Sequence, residues 1–139
     1  MACWLLKTEP EVYSWEELCS DGRTVWDGVT NNLALIHIRK VRKGDRALVY
    51  HTGGVRAVVG LARVASDPYA DPKHCDPKLA VFDLEPEKAL GRPVTLDEMK
   101  GRAELAGWDL FRLGRLSVVP VSAEQWKVVL GMGKAGGKK

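Results

Sequence analysis

The sequence predicts an α+β fold: a small mixed barrel of about five or six strands with short helices set between them. Three observations predict it. Short apolar runs recur along the chain, each closed by glycine, proline or aspartate, which is the punctuation of strands. Three segments open on Ser or Thr with Glu or Gln three residues later: Ser14/Glu17, Thr95/Glu98 and Ser122/Gln125. That spacing is the capping box that starts a helix. The helical segments are also too short and irregular for a doubly wound alternation of helices and parallel strands.

Taken in order, CWLLK (3–7) reads as a buried first strand, ended by Pro10. SWEELCS (14–20) reads as a short helix capped by Ser14. Residues 32–39 place Leu33, Ile36 and Ile38 near helical spacing. KGD (43–45) is a turn, RALVYHT (46–52) a strand, and Gly53-Gly54 a hairpin signal. RAVVGLARVAS (56–66) suits a central strand, in which Gly60 predicts a bulge or a close backbone approach. DPYADPKHCDP (67–77), with three prolines, predicts an irregular loop. AVFDLEP (80–86) reads as a strand and TLDEMKG (95–101) as a capped helix. LSVVPVS (116–122) is a further strand, and SAEQWKVVL (122–130) a helix capped by Ser122.

The 139 residues suit one domain, residues 1–133, and 45% apolar content supports a real core. Residues 134–139, KAGGKK, read as a flexible basic tail. The net charge of +3 comes from that tail, which holds three lysines and no acid. Residues 1–133 balance 18 basic against 18 acidic side chains, so no global basic field is present and local clusters must carry any nucleic-acid role. No apolar run approaches the ~18–20 residues of a membrane helix. MACWLLKTEPE lacks the basic segment of a signal peptide. The cysteines, Cys3, Cys19 and Cys75, are odd in number, widely spaced and without a CxxC. They argue against a disulfide framework and a zinc site and for a reducing cytoplasm. Two asparagines and one glutamine beside many arginines fit a thermophilic source.

The Gly-rich words HTGG and GVRAVVG match neither GxxxxGK[ST] nor GxGxxG and read as hairpin sequence. His37, His51 and His74 are scattered, and no G-x-S-x-G elbow is present. Cys75 beside His74 gives adjacency, not catalytic geometry, and His74, Cys75 and Asp76 alone do not complete a metal site. No cofactor and no metal are expected. RKVRKGDR (39–46) holds five basic residues and one acid. It reads equally as a solvated helix end, where cations suit the dipole, or as a phosphate-contacting edge. Trp26 sits beside Asp27-Gly28, in or before a turn. Its ring is either core or a platform for a flat ligand whose edge Asp27 and Asn31 read, an asparagine offering both donor and acceptor.

WLLKTEP, VWDGVTN, ALVYHT, VVGLARV, YADP, RPVTL and RLSVVPVS occur in this order. Together they resemble the EVE domain over residues 3–131. The resemblance implies a PUA-like small open β-barrel, related to YTH and ASCH domains, with helices around it and a cleft on one side. YTH domains hold a methylated adenine in an aromatic cage, and EVE domains are viewed as readers of modified bases, cytosine derivatives among them. Carried over, the ligand pocket has Trp26 as stacking wall, with Lys7, Thr8 and Glu9 at the end of the first strand. Asp27, Gly28, Val29 and Asn31 form the following turn, Tyr50, His51 and Thr52 the floor, and Tyr69 with Asp71 come from the loop. Arg39, Lys40, Arg42 and Lys43 are the candidates for the nucleic-acid backbone. The implied partner is DNA or RNA carrying a modified base, bound by a monomeric, non-enzymatic module.

Family members read close to WDGVRNYQARN, whereas this chain has Thr30, Asn32 and Leu35 at the first arginine, the aromatic and the second arginine. Cationic and stacking contacts are thus expected to be missing from the rim. Two alternatives stand beside the reader. One is an ASCH-like hydrolase of modified nucleosides, with Lys7, Glu9, Asp27 and His51 supplying acid–base chemistry. The other is a protein or small-molecule interaction module that keeps the barrel alone.

Overall fold

The computed structural model describes residues 2–73 and 76–133, with residues 76 and 77 described in their backbone alone. His74, Cys75 and the tail 134–139 lie outside the described residues. Strand β1 (Cys3–Thr8) is followed by helix α1 (Trp15–Asp21), β2 (Thr24–Trp26), α2 (Asn32–Lys40), β3 (Arg46–His51), β4 (Ala57–Val64), β5 (Tyr69–Asp71) and β6 (Asp76–Thr95). Then come α3 (Leu96–Lys100), a 3-10 turn (Ala103–Leu105), α4 (Asp109–Arg112), β7 (Val118–Val121) and α5 (Ala123–Met132).

The strands form one mixed sheet in the order β2-β6-β4-β3-β1-β7, with β5 paired to β6. β1 and β3 run parallel and the other pairs antiparallel. Register slips between Val49 and Tyr50 on β3, and twice along the β4–β6 ladder, are bulges that curl the sheet into an open half-barrel. Pro86, which cannot donate to a ladder, pairs with Ala62 at one of these slips.

The expected five or six strands are seven. β2 is three residues long, too short to show alternation, and exists because Thr24, Val25 and Trp26 pair with Leu84, Asp83 and Phe82. The stretch 67–77, expected to be irregular, contains β5 and the start of β6. Tyr69 and Ala70 find partners in Val81 and Ala80 despite the flanking prolines. The strand expected over 80–86 extends from 76 to 95.

The local signals hold. All three capping boxes form, and Asn31 caps α2. Both expectations for Gly60 are met: it sits at a slip in the β4–β6 register, and the Trp15 ring lies directly on its Cα face. Leu5, Leu6, Leu48, Phe82 and Leu84 from the sheet meet Ile38 of α2 and Leu18 of α1 in one core. Each such side chain contributes about 1.5–3 kcal/mol on burial. Leu35 is also in that core, 4% exposed, so the position belongs to packing and its lack of charge removes nothing from a rim.

Asp45 is buried and is satisfied by three N–H donors: the Ala2 amide at 3.1 Å, Trp4 Nε1 at 3.0 Å and the Arg42 amide at 3.0 Å. It joins the chain start, the end of α2 and β3. Cys3 and Cys19 are free thiols. Among the described residues no helix is long and apolar enough to cross a membrane.

Candidate functional site

A cleft of about 620 Å³ opens where β1 ends beside β2. Its walls are Lys7, Thr8 and Glu9, the Val12–Tyr13 segment, the continuous stretch Thr24–Asn31, and Arg115 with Ser117. Of the sequence-derived site residues, Lys7, Thr8, Glu9, Trp26, Asp27, Gly28, Val29 and Asn31 are brought together here. The volume lies within the range of small-ligand sites.

Trp26 closes β2 opposite Phe82. Its ring is only 7% exposed, and Tyr13 meets it edge-on at 6.5 Å and 79°. It is therefore a wall set into the core, not the open stacking platform expected. The indole Nε1–H donates to no group among the described residues. Because no buried side-chain nitrogen among them is left unpartnered, that N–H keeps accessible surface, and Trp26 lines the cleft. Past Trp26 the backbone turns at Gly28, whose φ of 79° is the left-handed conformation a side chain disfavours.

Asn31 does not keep both its polar functions. Its Oδ1 accepts from the Ala34 amide at 3.0 Å as the N-cap of α2, which leaves the Nδ2 donors for a ligand. Asp27 lies 3.6 Å from the Lys73 ammonium, on the boundary with a second cavity that holds Asp71. The Thr8 hydroxyl donates to the Tyr13 carbonyl at 2.6 Å and so holds the Tyr13 wall in place. The Glu9 carboxylate turns to the β3–β4 hairpin, against Gly53 and within 3.5 Å of the Thr52 hydroxyl. Lys7 donates to the Gly114 carbonyl at 2.9 Å. Burial, helped by the charge of Arg56, holds its ammonium below the usual lysine range.

The remaining site candidates lie elsewhere. Tyr50 is buried in β3, its hydroxyl pushed up by burial. His51 Nε2 accepts the first α1 amide, from Trp15, at 3.0 Å, and His51 lines a separate cavity with Val55 and Arg92. Thr52 donates its amide to the Thr8 carbonyl at 3.0 Å. None of the three forms a floor beneath Trp26. Tyr50 pairs with Lys7 and its ring lies 5.8 Å from the Lys7 ammonium, whereas His51, opposite Thr8, points to the other face.

Tyr69 lies with Arg39 and Arg42 on another surface depression, and its hydroxyl donates to Asp83 at 2.5 Å. Burial and that carboxylate push the Tyr69 hydroxyl up to about 12. Asp71 is buried and accepts the Lys73 amide at 2.9 Å.

The basic run is at the surface, Arg39 and Arg42 included, but its arginines are engaged with the protein's own oxygens. Arg39 donates to the Lys78 carbonyl at 3.2 Å, and Arg42 to the carbonyls of Arg39 and Val41 at 2.7 and 2.8 Å, capping the end of α2. Lys40 and Lys43 are exposed, and no member of the run lines the Trp26 cleft. Arg46 pairs with Glu87 at 2.9 Å and covers the Trp126 ring.

Sequence reasoning missed Val12, Tyr13, Thr24, Val25, Thr30, Arg115 and Ser117 as cleft residues. Arg115 opens RLSVVPVS, a motif read only as a strand. The β1–β7 pairing and the Lys7–Gly114 bond bring it to the cleft.

A curled, open mixed sheet with short helices and a cleft at the end of its first strand defines a PUA-like half-barrel. An ASCH protein from Zymomonas mobilis, 10% identical over 96% of this chain and 97% of its own, shares this fold at a TM-score of 0.58. The EVE domain family model matches residues 2–132, and the chain belongs to that family. A Rhodopseudomonas palustris protein solved by NMR is 40% identical over 96% of this chain and 93% of its own, with a TM-score of 0.91. The human THYN1 protein, crystallised with DNA containing 5-methylcytosine, is 27% identical over 96% of this chain and 98% of its own, with a TM-score of 0.89. Rat thymocyte nuclear protein 1 is 29% identical over 95% of this chain and 74% of its own length.

Proposed function

We propose that this protein binds nucleic acid by taking a modified base, foremost a cytosine derivative in DNA, into the Trp26 cleft. The observation that carries the reading is Trp26, its Nε1–H unpartnered among the described residues, in the wall of a cleft of about 620 Å³. The Asn31 Nδ2 and the turn at Gly28 stand beside it. The human relative's complex with 5-methylcytosine DNA supports the same class of partner.

Extruding a base costs a few kcal/mol. Contact with the exposed part of the indole and hydrogen bonds to Trp26 and Asn31 must offset that cost. A modified or single-stranded base costs less to extrude and is preferred.

The test is a titration of wild type and Trp26→Phe against duplexes carrying one central 5-methylcytosine or cytosine, and against the matching RNA. Phenylalanine keeps an aromatic wall and removes the N–H. The expected result is a wild-type preference for the modified DNA, and an affinity for it about fivefold to tenfold lower in the variant, the equivalent of one hydrogen bond. Equal wild-type affinity for both duplexes, or an unchanged affinity in a folded Trp26→Phe protein, overturns the reading. Preference for the RNA would move the partner from DNA to RNA.

A further inference from the structure

The basic residues that line or adjoin the cleft are not those of the 39–46 run. Eight of the chain's ten arginines donate to protein oxygens. Arg23, Arg46, Arg63, Arg92, Arg102 and Arg112 hold carboxylates, and Arg39 and Arg42 hold main-chain carbonyls. Arg56 and Arg115 are exposed, and among the described residues neither makes a side-chain hydrogen bond or an ion pair. Both adjoin Lys7. Arg115 follows Gly114, whose carbonyl holds the Lys7 ammonium at 2.9 Å, and it lines the cleft. Arg56 closes the β3–β4 hairpin, and its charge acts on both Lys7 and Tyr50.

The carboxylates at the cleft are engaged elsewhere: Glu9 with the Thr52 hydroxyl and the Glu11 amide, and Asp27 with Lys73. Arg115 also borders an adjoining apolar cavity of about 270 Å³ formed with Leu33, Leu113 and Leu116. Arg115 thus lines two adjoining hollows. Lys7 and Arg115, neither with a carboxylate partner, line the cleft, and Arg56 lies beyond it on the hairpin that meets Glu9; a cluster of this kind is what a polyanion needs.

We propose that Arg115 and Arg56, with Lys7 beside both, form the rim that grips the backbone phosphates flanking a base inserted in the Trp26 cleft. The inference rests on the cleft reading above. It moves the phosphate contacts from Arg39, Lys40, Arg42 and Lys43 to the loop before β7 and the β3–β4 hairpin. Phosphate contacts position the duplex without reading it. Their removal should therefore weaken binding of modified and unmodified DNA alike.

The experiment compares wild type, Arg56→Gln/Arg115→Gln and Lys40→Gln/Lys43→Gln on 5-methylcytosine and cytosine duplexes over a series of salt concentrations. Each lost phosphate contact lowers the slope of log affinity against log salt by about 0.9. The arginine pair is expected to lower it by about 1.5–2, with the preference for 5-methylcytosine unchanged, while the lysine pair leaves the slope as in wild type. An unchanged slope in the arginine variant, or an equal drop in the lysine variant, overturns the rim. If the slope drops but wild type shows no preference for the modified base, the cleft reading fails and the rim stands. If Trp26→Phe weakens binding while the arginine variant keeps its slope, the rim alone fails. Failure of wild type to bind either duplex overturns both.

Discussion

Replacing Gly60 by alanine tests the contact that seats α1 on the sheet, and with it the Tyr13 wall of the cleft. A Cβ built on Gly60 would lie 2.5 Å from Cε2 and Cζ2 of Trp15 and 2.6 Å from Cη2. These are atoms of a rigid, buried ring, not the end of a flexible chain, so about 1 Å of movement is needed to restore ordinary packing. The ring cannot swing freely, because the Trp15 amide is bound to His51 and Ser14 caps the helix. Overpacking costs typically about 1–3 kcal/mol, and with both sides restrained the upper part of that range, about 2–3 kcal/mol, applies. An unfolding entropy of about 2.1 cal/mol/K per residue converts this to a fall in melting temperature of about 7–10 °C. Thermal melts followed by near-ultraviolet circular dichroism measure it. Trp15→Leu provides the second arm: in that background Gly60→Ala should cost less than about 0.5 kcal/mol, giving a coupling of about 2 kcal/mol. A Gly60→Ala protein that melts within about 2 °C of wild type, or a penalty that persists without the ring, would refute the reasoning.

Two further outcomes are expected. Asp45→Ala strips the carboxylate from the Ala2, Trp4 and Arg42 donors. It should cost about 3–4 kcal/mol in urea unfolding, with Asp45→Asn intermediate, and a cost under about 1 kcal/mol would contradict the triple acceptor role. The Arg92 hydrogen bond and the Thr95 cap hold the Glu98 carboxyl down at about 2, from an ordinary 4.5. Its stabilising contribution is therefore present above pH 4.5 and disappears as pH falls toward 2. Because the pair is solvent-exposed, Glu98→Gln, which can still form the capping box, should cost less than about 1 kcal/mol at pH 7. It should also flatten the loss of stability between pH 4.5 and 2, and an acid branch as steep as wild type's would count against the ion pair.

What the sequence determined by itself was whatever local chemistry decides. The helix starts at Ser14, Thr95 and Ser122 follow from a side-chain oxygen within reach of its own helix's amides. The apolar runs at 3–7, 46–52 and 56–66 were legible because they are long enough to show burial. The central turn of the cleft, Trp26 to Asn31, was legible as well, since it is contiguous in the chain. The tertiary structure decided the rest. β2 and β5 exist only because β6 passes beside them. Tyr50 is packed beneath Lys7, 5.8 Å from its ammonium, and His51 points to the opposite face because alternate side chains of a strand point apart. The arginines were ambiguous in sequence because a guanidinium serves a helix end, a carboxylate or a phosphate equally well. Which of these each one meets depends on residues tens of positions away, as the 107-residue separation of Lys7 from Gly114 illustrates.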